Sequence, residues 1–121
     1  MRLHHVNVVV PPGGTESVLS FYVDVLGLER VAKPTEGVAE SGAWFDIDDS
    51  SQVHISERDG QPHPQAHFAL VVDDFEAVLA RVAAAGAPWQ EQADIFGGRR
   101  GFTRDPAGNR IELLQRAGTL A

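Results

Sequence analysis

The chain has 121 residues, 43% of them hydrophobic and 22% charged, the size and composition of one globular domain. Seventeen acidic against ten basic residues leave a formal charge of −7, which repels phosphate backbones and anionic lipid and so excludes nucleic acid and membrane surfaces as partners. Cysteine is absent, which excludes disulfides and thiolate chemistry and leaves only nitrogen and oxygen to hold any metal. No apolar run reaches the roughly 18 residues of a membrane span, and a strand pattern begins almost at the first residue, so a cytoplasmic protein is expected.

Residues 3 to 10 alternate as a strand, with Val6, Val8 and Val10 on one face and His5, Asn7 and Val9 on the other. Pro11-Pro12-Gly13-Gly14 ends it, and Thr15 is placed to cap a helix starting near Glu16. Val18, Leu19, Tyr22, Val23 and Leu26 form that helix's apolar stripe, and Gly27 suits its C-terminus. A second strand is predicted over Leu28 to Ala32, a loop over residues 33–37, and a third strand from Val38 through Ile47, anchored by Trp44 and Phe45. Asp48-Asp49-Ser50-Ser51 is a turn, and the fourth strand, Gln52 to Ser56, sets Val53 and Ile55 against Gln52, His54 and Ser56. Residues 57–65 read as a connector that exposes His63 between two prolines.

The same order then repeats. His67 to Val72 is a strand, Asp73 or Asp74 caps a helix with Phe75, Val78, Leu79 and Val82 as its stripe, and Gly86 ends it. Trp89 to Asp94 reads as a strand, Ile95 to Gly101 as a glycine-rich loop carrying Arg99 and Arg100, and Phe102 to Arg104 as a strand. Asp105-Pro106-Ala107-Gly108-Asn109 is a turn, and Arg110 to Leu114 a last strand with Ile111 and Leu113 opposite Arg110, Glu112 and Leu114. A short tail expected to fray closes the chain. Two copies of a β-α-β-β-β unit, at about 1–58 and 66–116 with a linker at about 59–65, therefore make up one α+β domain over 1–121.

In four repeat-related strands a possible metal ligand lies on the face away from the helix: His5, His54, His67 and Glu112. Imidazoles with one carboxylate suit a divalent ion such as Fe(II), Mn(II), Ni(II), Co(II) or Zn(II), which would act as a Lewis acid or, if iron, bind oxygen. A lone strand histidine is more often a hydrogen-bonded core or surface residue, and it is the symmetry of the four that favours a shared site. Glu112 is the sharpest case, because a carboxylate buried in an Ile-Glu-Leu-Leu run costs several kcal/mol without a partner; it needs a metal, Arg110 or water. His4 is expected as an end-of-strand residue. Arg99 and Arg100 are ordinarily solvated, although a loop over a trough could use one to clamp a substrate anion. Trp44, Trp89 and Phe102 are expected in the core first and as pocket wall second.

Four segments together resemble the vicinal oxygen chelate superfamily, which includes glyoxalase I, extradiol dioxygenases, fosfomycin resistance enzymes, methylmalonyl-CoA epimerase and bleomycin resistance proteins. They are His5 in the opening strand, Phe21-Tyr22-Val23-Asp24-Val25-Leu26-Gly27-Leu28, His67 before Ala69-Leu70-Val71-Val72, and Asp105 through Leu113. The resemblance covers nearly the whole chain. It implies a glyoxalase-like, eight-stranded, partly closed mixed sheet with helices outside, and a homodimer. It further implies metal ligands at His5, His67 and Glu112, with His54 at a fourth place that binds metal or contacts substrate in some members. In an enzyme His54 is then expected as a fourth ligand or a general base, and the loop and pocket-wall readings put Arg100 and Phe102 beside a small oxygen-chelating substrate. Glyoxalase I has a glutamate ligand at the place of His54, which points away from strict glyoxalase I chemistry. The expected activity is a metal-dependent lyase, isomerase or dioxygenase; the alternative is a metal-free protein that sequesters a drug-like or aromatic ligand.

Overall fold

The computed structural model of the chain describes residues 1–118, so the last three positions of the expected tail lie outside the described residues. It divides into two units, Met1–Pro62 and His63 onward. Each contains one four-stranded mixed sheet and one helical segment, and together they give the α+β architecture of two β-α-β-β-β modules. No described helix is long and apolar enough to cross a membrane.

In the first unit the sheet order is β1-β4-β3-β2, formed by β1 (His5–Val10), β2 (Glu29–Val31), β3 (Ala43–Asp46) and β4 (Gln52–Glu57). β1 and β4 are parallel and the other pairs antiparallel. Parallel neighbours cannot be joined by a hairpin, so the helix and two further strands lie between them in sequence. The alternation predicted for β1 and β4 buries Val8, Val10, Val53 and Ile55 with Val18, Phe21, Tyr22 and Phe45. Each such side chain contributes about 1.5–3 kcal/mol on leaving water. Tyr22 and Phe45 stack at 5.4 Å.

Three local expectations for this unit are corrected. The helix α1 (Thr15–Ser20) widens into a π turn over Phe21–Val25, where the Leu26 amide donates to the Phe21 carbonyl; the extra residue per turn rotates Val23 out to solvent and leaves Phe21 and Val25 inside. Thr15 does not cap the helix from its own side chain. Its hydroxyl instead donates to Glu57 at the end of β4 at 2.5 Å, and the Gly13 amide donates to the same carboxylate at 2.7 Å, which ties the turn before the helix to the sheet. The third strand starts at Ala43 rather than Val38, because Gly37 and Gly42 adopt positive φ and a Cβ on Gly42 would lie 2.1 Å from the Ile55 carbonyl oxygen. The Lys33 ammonium holds the resulting loop, donating to the carbonyls of Ala39 and Ser41.

In the second unit the order is β5-β8-β7-β6, formed by β5 (His67–Val71), β6 (Gln90–Gln92), β7 (Arg100–Arg104) and β8 (Arg110–Leu114). Its helix α2 (Phe75–Ala84) is capped by Asp74, whose carboxylate accepts from the Ala77 amide, and buries Phe75, Val78 and Val82; Leu70 of β5 and Ile111 and Leu113 of β8 are buried as well. The hairpin between β7 and β8 is fixed by Asp105, which accepts from the amides of Ala107 and Asn109 and from the Asn109 side chain. β6 is shorter than expected. β7 begins two residues earlier, at Arg100, and this shift moves Arg100 from the loop onto the face it shares with Phe102, Glu112 and Arg110.

Candidate functional site

On the first unit's helix-free face three aromatic rings stand in a column. His54 on β4 lies between Trp44 of β3, at a centroid distance of 4.0 Å and 3°, and His5 of β1, at 4.1 Å and 16°. Cross-strand register makes Trp44 and His54 direct neighbours, where aromatic side chains stack. The Asp46 carboxylate accepts from the Gln52 amide nitrogen at 2.8 Å, so Gln52 turns its carbonyl oxygen to His54 Nε2, also at 2.8 Å. Nε2 therefore carries the hydrogen and the lone pair of the neutral ring sits on Nδ1. Burial, followed by repulsion from His5, His4 and Lys33, lowers the His54 pKa to about 4, and the ring is neutral at physiological pH. His4 sits at the end of the strand, its Nδ1 3.0 Å from that of His5. An open cavity of about 290 Å³ adjoins the column, lined among others by Asn7, Lys33, Val38, Trp44, His54 and Ser56.

On the corresponding face of the second unit the group is charged. Glu112 is 6% exposed. One carboxylate oxygen lies 3.2 Å from His67 Nε2 and the other accepts from Arg100 Nη1 at 3.0 Å. His67 Nδ1 is 2.9 Å from the Gln65 carbonyl oxygen and Nε2 faces the carboxylate; both partners are acceptors, so each ring nitrogen is placed to donate, and a ring whose single hydrogen is on Nδ1 presents the Nε2 lone pair to Glu112. Arg100 is further held by Nε, which donates to the Ala93 carbonyl at 2.7 Å, and by the Phe96 ring at 5.7 Å. Phe102 stands edge-on to His67 at 5.1 Å, and the Arg110 guanidinium lies over the same ring at 3.4 Å. Glu112 thus has two partners, His67 and Arg100, whereas Arg110 is spent on Phe102 and on Gln65 Oε1.

The four predicted ligands accordingly occur as two pairs, His5 with His54 and His67 with Glu112, each inside one unit. Among the described residues no group of three or more histidine, aspartate or glutamate side chains is placed to hold a metal ion. The second pair fits a divalent ion in donor type and spacing: two donors about 2.1 Å from one ion at a right angle are about 3 Å apart. Sequence reading missed Gln52, Asp46 and Gln65, which set the histidine tautomers. Gln52 was legible as the same-face neighbour of His54 two residues earlier; Asp46 required the strand register.

Residues 2–113 match the Glyoxalase/Bleomycin resistance protein/Dioxygenase superfamily. The chain belongs to that superfamily. Among solved structures it is similar to a glyoxalase family protein from Bacillus anthracis, at 28% identity over 94% of this chain and 93% of that one, TM-score 0.84. It shares its fold with the antibiotic binding protein TnmS3 from Streptomyces sp. CB03234 (22% identity, 96% of both chains, TM-score 0.72). The fold is also that of lactoylglutathione lyase from Agrobacterium tumefaciens (21% identity, 93% of this chain and 92% of that one, TM-score 0.69). No protein of curated function matches the chain.

Proposed function

We propose that this superfamily member is a divalent-metal-dependent enzyme acting on a small oxygen-chelating metabolite. The His67–Glu112 pair carries the reading. His67 donates from Nδ1 to the Gln65 carbonyl and presents Nε2 to a carboxylate oxygen 3.2 Å away. That spacing is held by a cation between nitrogen and oxygen: a proton on Nε2 in the metal-free chain, or a metal ion in its place. In this reading His67 and Glu112 bind Fe(II), Mn(II), Ni(II), Co(II) or Zn(II), and His5 and His54 complete the ligand set from the same chain or from the second copy of a homodimer. His54 joins through Nδ1, and with a pKa of about 4 it serves better as a ligand than as a general base. Such an ion supplies Lewis acidity toward the paired oxygens of a chelating substrate, which suits lyase, isomerase and dioxygenase chemistry. Phe102, packed against His67, walls the substrate, and Arg100 stands beside Glu112 to complement its negative charge.

A second reading, a metal-free binding protein, is favoured by the Trp44–His54–His5 column and the cavity beside it, a setting suited to a planar drug-like ligand, and by the antibiotic-binding title of one structural neighbour. Metal analysis of protein purified without an affinity tag separates the two. About one ion per chain, lost in Glu112→Gln while the circular dichroism spectrum is retained, supports the enzyme. A metal-free protein whose tryptophan fluorescence is quenched by aromatic ligands supports the binder.

A further inference from the structure

We infer that Arg100 is a built-in substitute for the metal ion: it supplies the positive charge that buried Glu112 needs when no ion is bound, and it thereby weakens the hold of Glu112 on an ion. This rests on the reading in which His67 and Glu112 bind the metal. Glu112 is itself only 6% exposed, so its carboxylate cannot be left without a cation. Arg100 reaches it from a position fixed independently of any ion, by the Ala93 carbonyl and the Phe96 ring, and its side chain is only 14% exposed. The guanidinium takes one carboxylate oxygen and leaves the other, on the His67 side, for a single bond to an ion. A divalent ion there would sit beside a fixed like charge, and like charges a few ångströms apart in a partly buried site repel.

The other unit supplies a comparison within the same chain. Phe102 pairs with Glu112 as Trp44 pairs with His54, so two residues before each aromatic, Arg100 corresponds to Gly42. The unit whose strand centre carries a neutral imidazole has glycine there; the unit whose strand centre carries a carboxylate has arginine.

The test uses the full chain, stripped of metal with a chelator, as wild type, Arg100→Gln and Arg100→Lys. Nickel(II) chloride is titrated by calorimetry, and thermal unfolding is followed with and without the ion. Arg100→Gln is expected to bind nickel about tenfold more tightly while its metal-free form melts about 5 °C lower, with the loss recovered at saturating nickel. Arg100→Lys, which keeps the charge, should bind like the wild type. A merely structural arginine would lose stability and affinity together, and an affinity that is unchanged or weaker in Arg100→Gln overturns the inference while wild-type binding leaves the metal reading intact. If Arg100→Gln folds only when nickel is added, the substitution of one cation by another is supported directly. Absence of nickel binding in all three proteins removes the metal reading and this inference with it.

Discussion

At matching places in the two sheets the first unit carries His5, Trp44 and His54, and the second carries His67, Phe102 and Glu112. One backbone pattern thus presents two kinds of chemistry. In the first unit the central group is neutral: burial suppresses the charge of His54, flat rings cover both its faces, and a Gln52–Asp46 relay satisfies its N–H. In the second the central group is an anion that burial makes costly, and the surroundings answer with an arginine and a histidine. The difference shows that a β-α-β-β-β unit fixes where a central side chain points, while its cross-strand neighbours decide whether that side chain can carry charge.

The comparison is broken most severely by giving the second unit the first unit's central residue. Glu112→His leaves Arg100 buried without its anion, and urea unfolding should show a loss of about 3 kcal/mol. Next in size is the pH response of the first unit. His54 has a folded pKa of about 4 against an ordinary 6.5, so the unfolded chain takes up the proton first. Its contribution to stability is complete above about pH 6.5, falls as the pH drops toward 4, and amounts to at most about 3 kcal/mol. In His54→Gln the same denaturation series should lose that part of the slope.

Removing one face of the column is a smaller change. Trp44→Leu should cost about 1 kcal/mol for the lost stacking and raise the His54 pKa toward 6.5, read from the histidine ring resonances. Gln52→Leu sharpens the comparison further: it should cost about 1 kcal/mol and release His54 to exchange its hydrogen between Nε2 and Nδ1, which nitrogen shifts of the ring report.

The repeat, the helix-facing valines of β1 and the Asp105–Asn109 turn were all readable from residue order, because alternation and turn chemistry are local. The superfamily was readable for the same reason, its signature segments being contiguous. What escaped was set by register or by close approach. Gly42 ends the loop before β3 because the Ile55 carbonyl lies where a side chain would go, and no local pattern announces that contact. A one-turn widening at Phe21–Val25 changes which residues face inward without altering composition. The Ile-Glu-Leu-Leu run marks Glu112 as a buried anion in need of a partner, yet the glycine-rich sequence puts Arg100 in a loop. Its place beside Glu112 depends on β7 starting two residues earlier than the glycine-rich sequence suggests.

The proposed function rests on His67 and Glu112 as a cation-binding pair. Nitrogen-15 histidine spectra of the metal-free chain, recorded without and with saturating zinc, test it most directly. His67 is expected to keep an Nδ1 hydrogen throughout, and its Nε2 resonance to move to a metal-bound position on adding zinc, in the wild type but not in Glu112→Gln. A His67 Nε2 resonance that stays where it was at saturating zinc would contradict it.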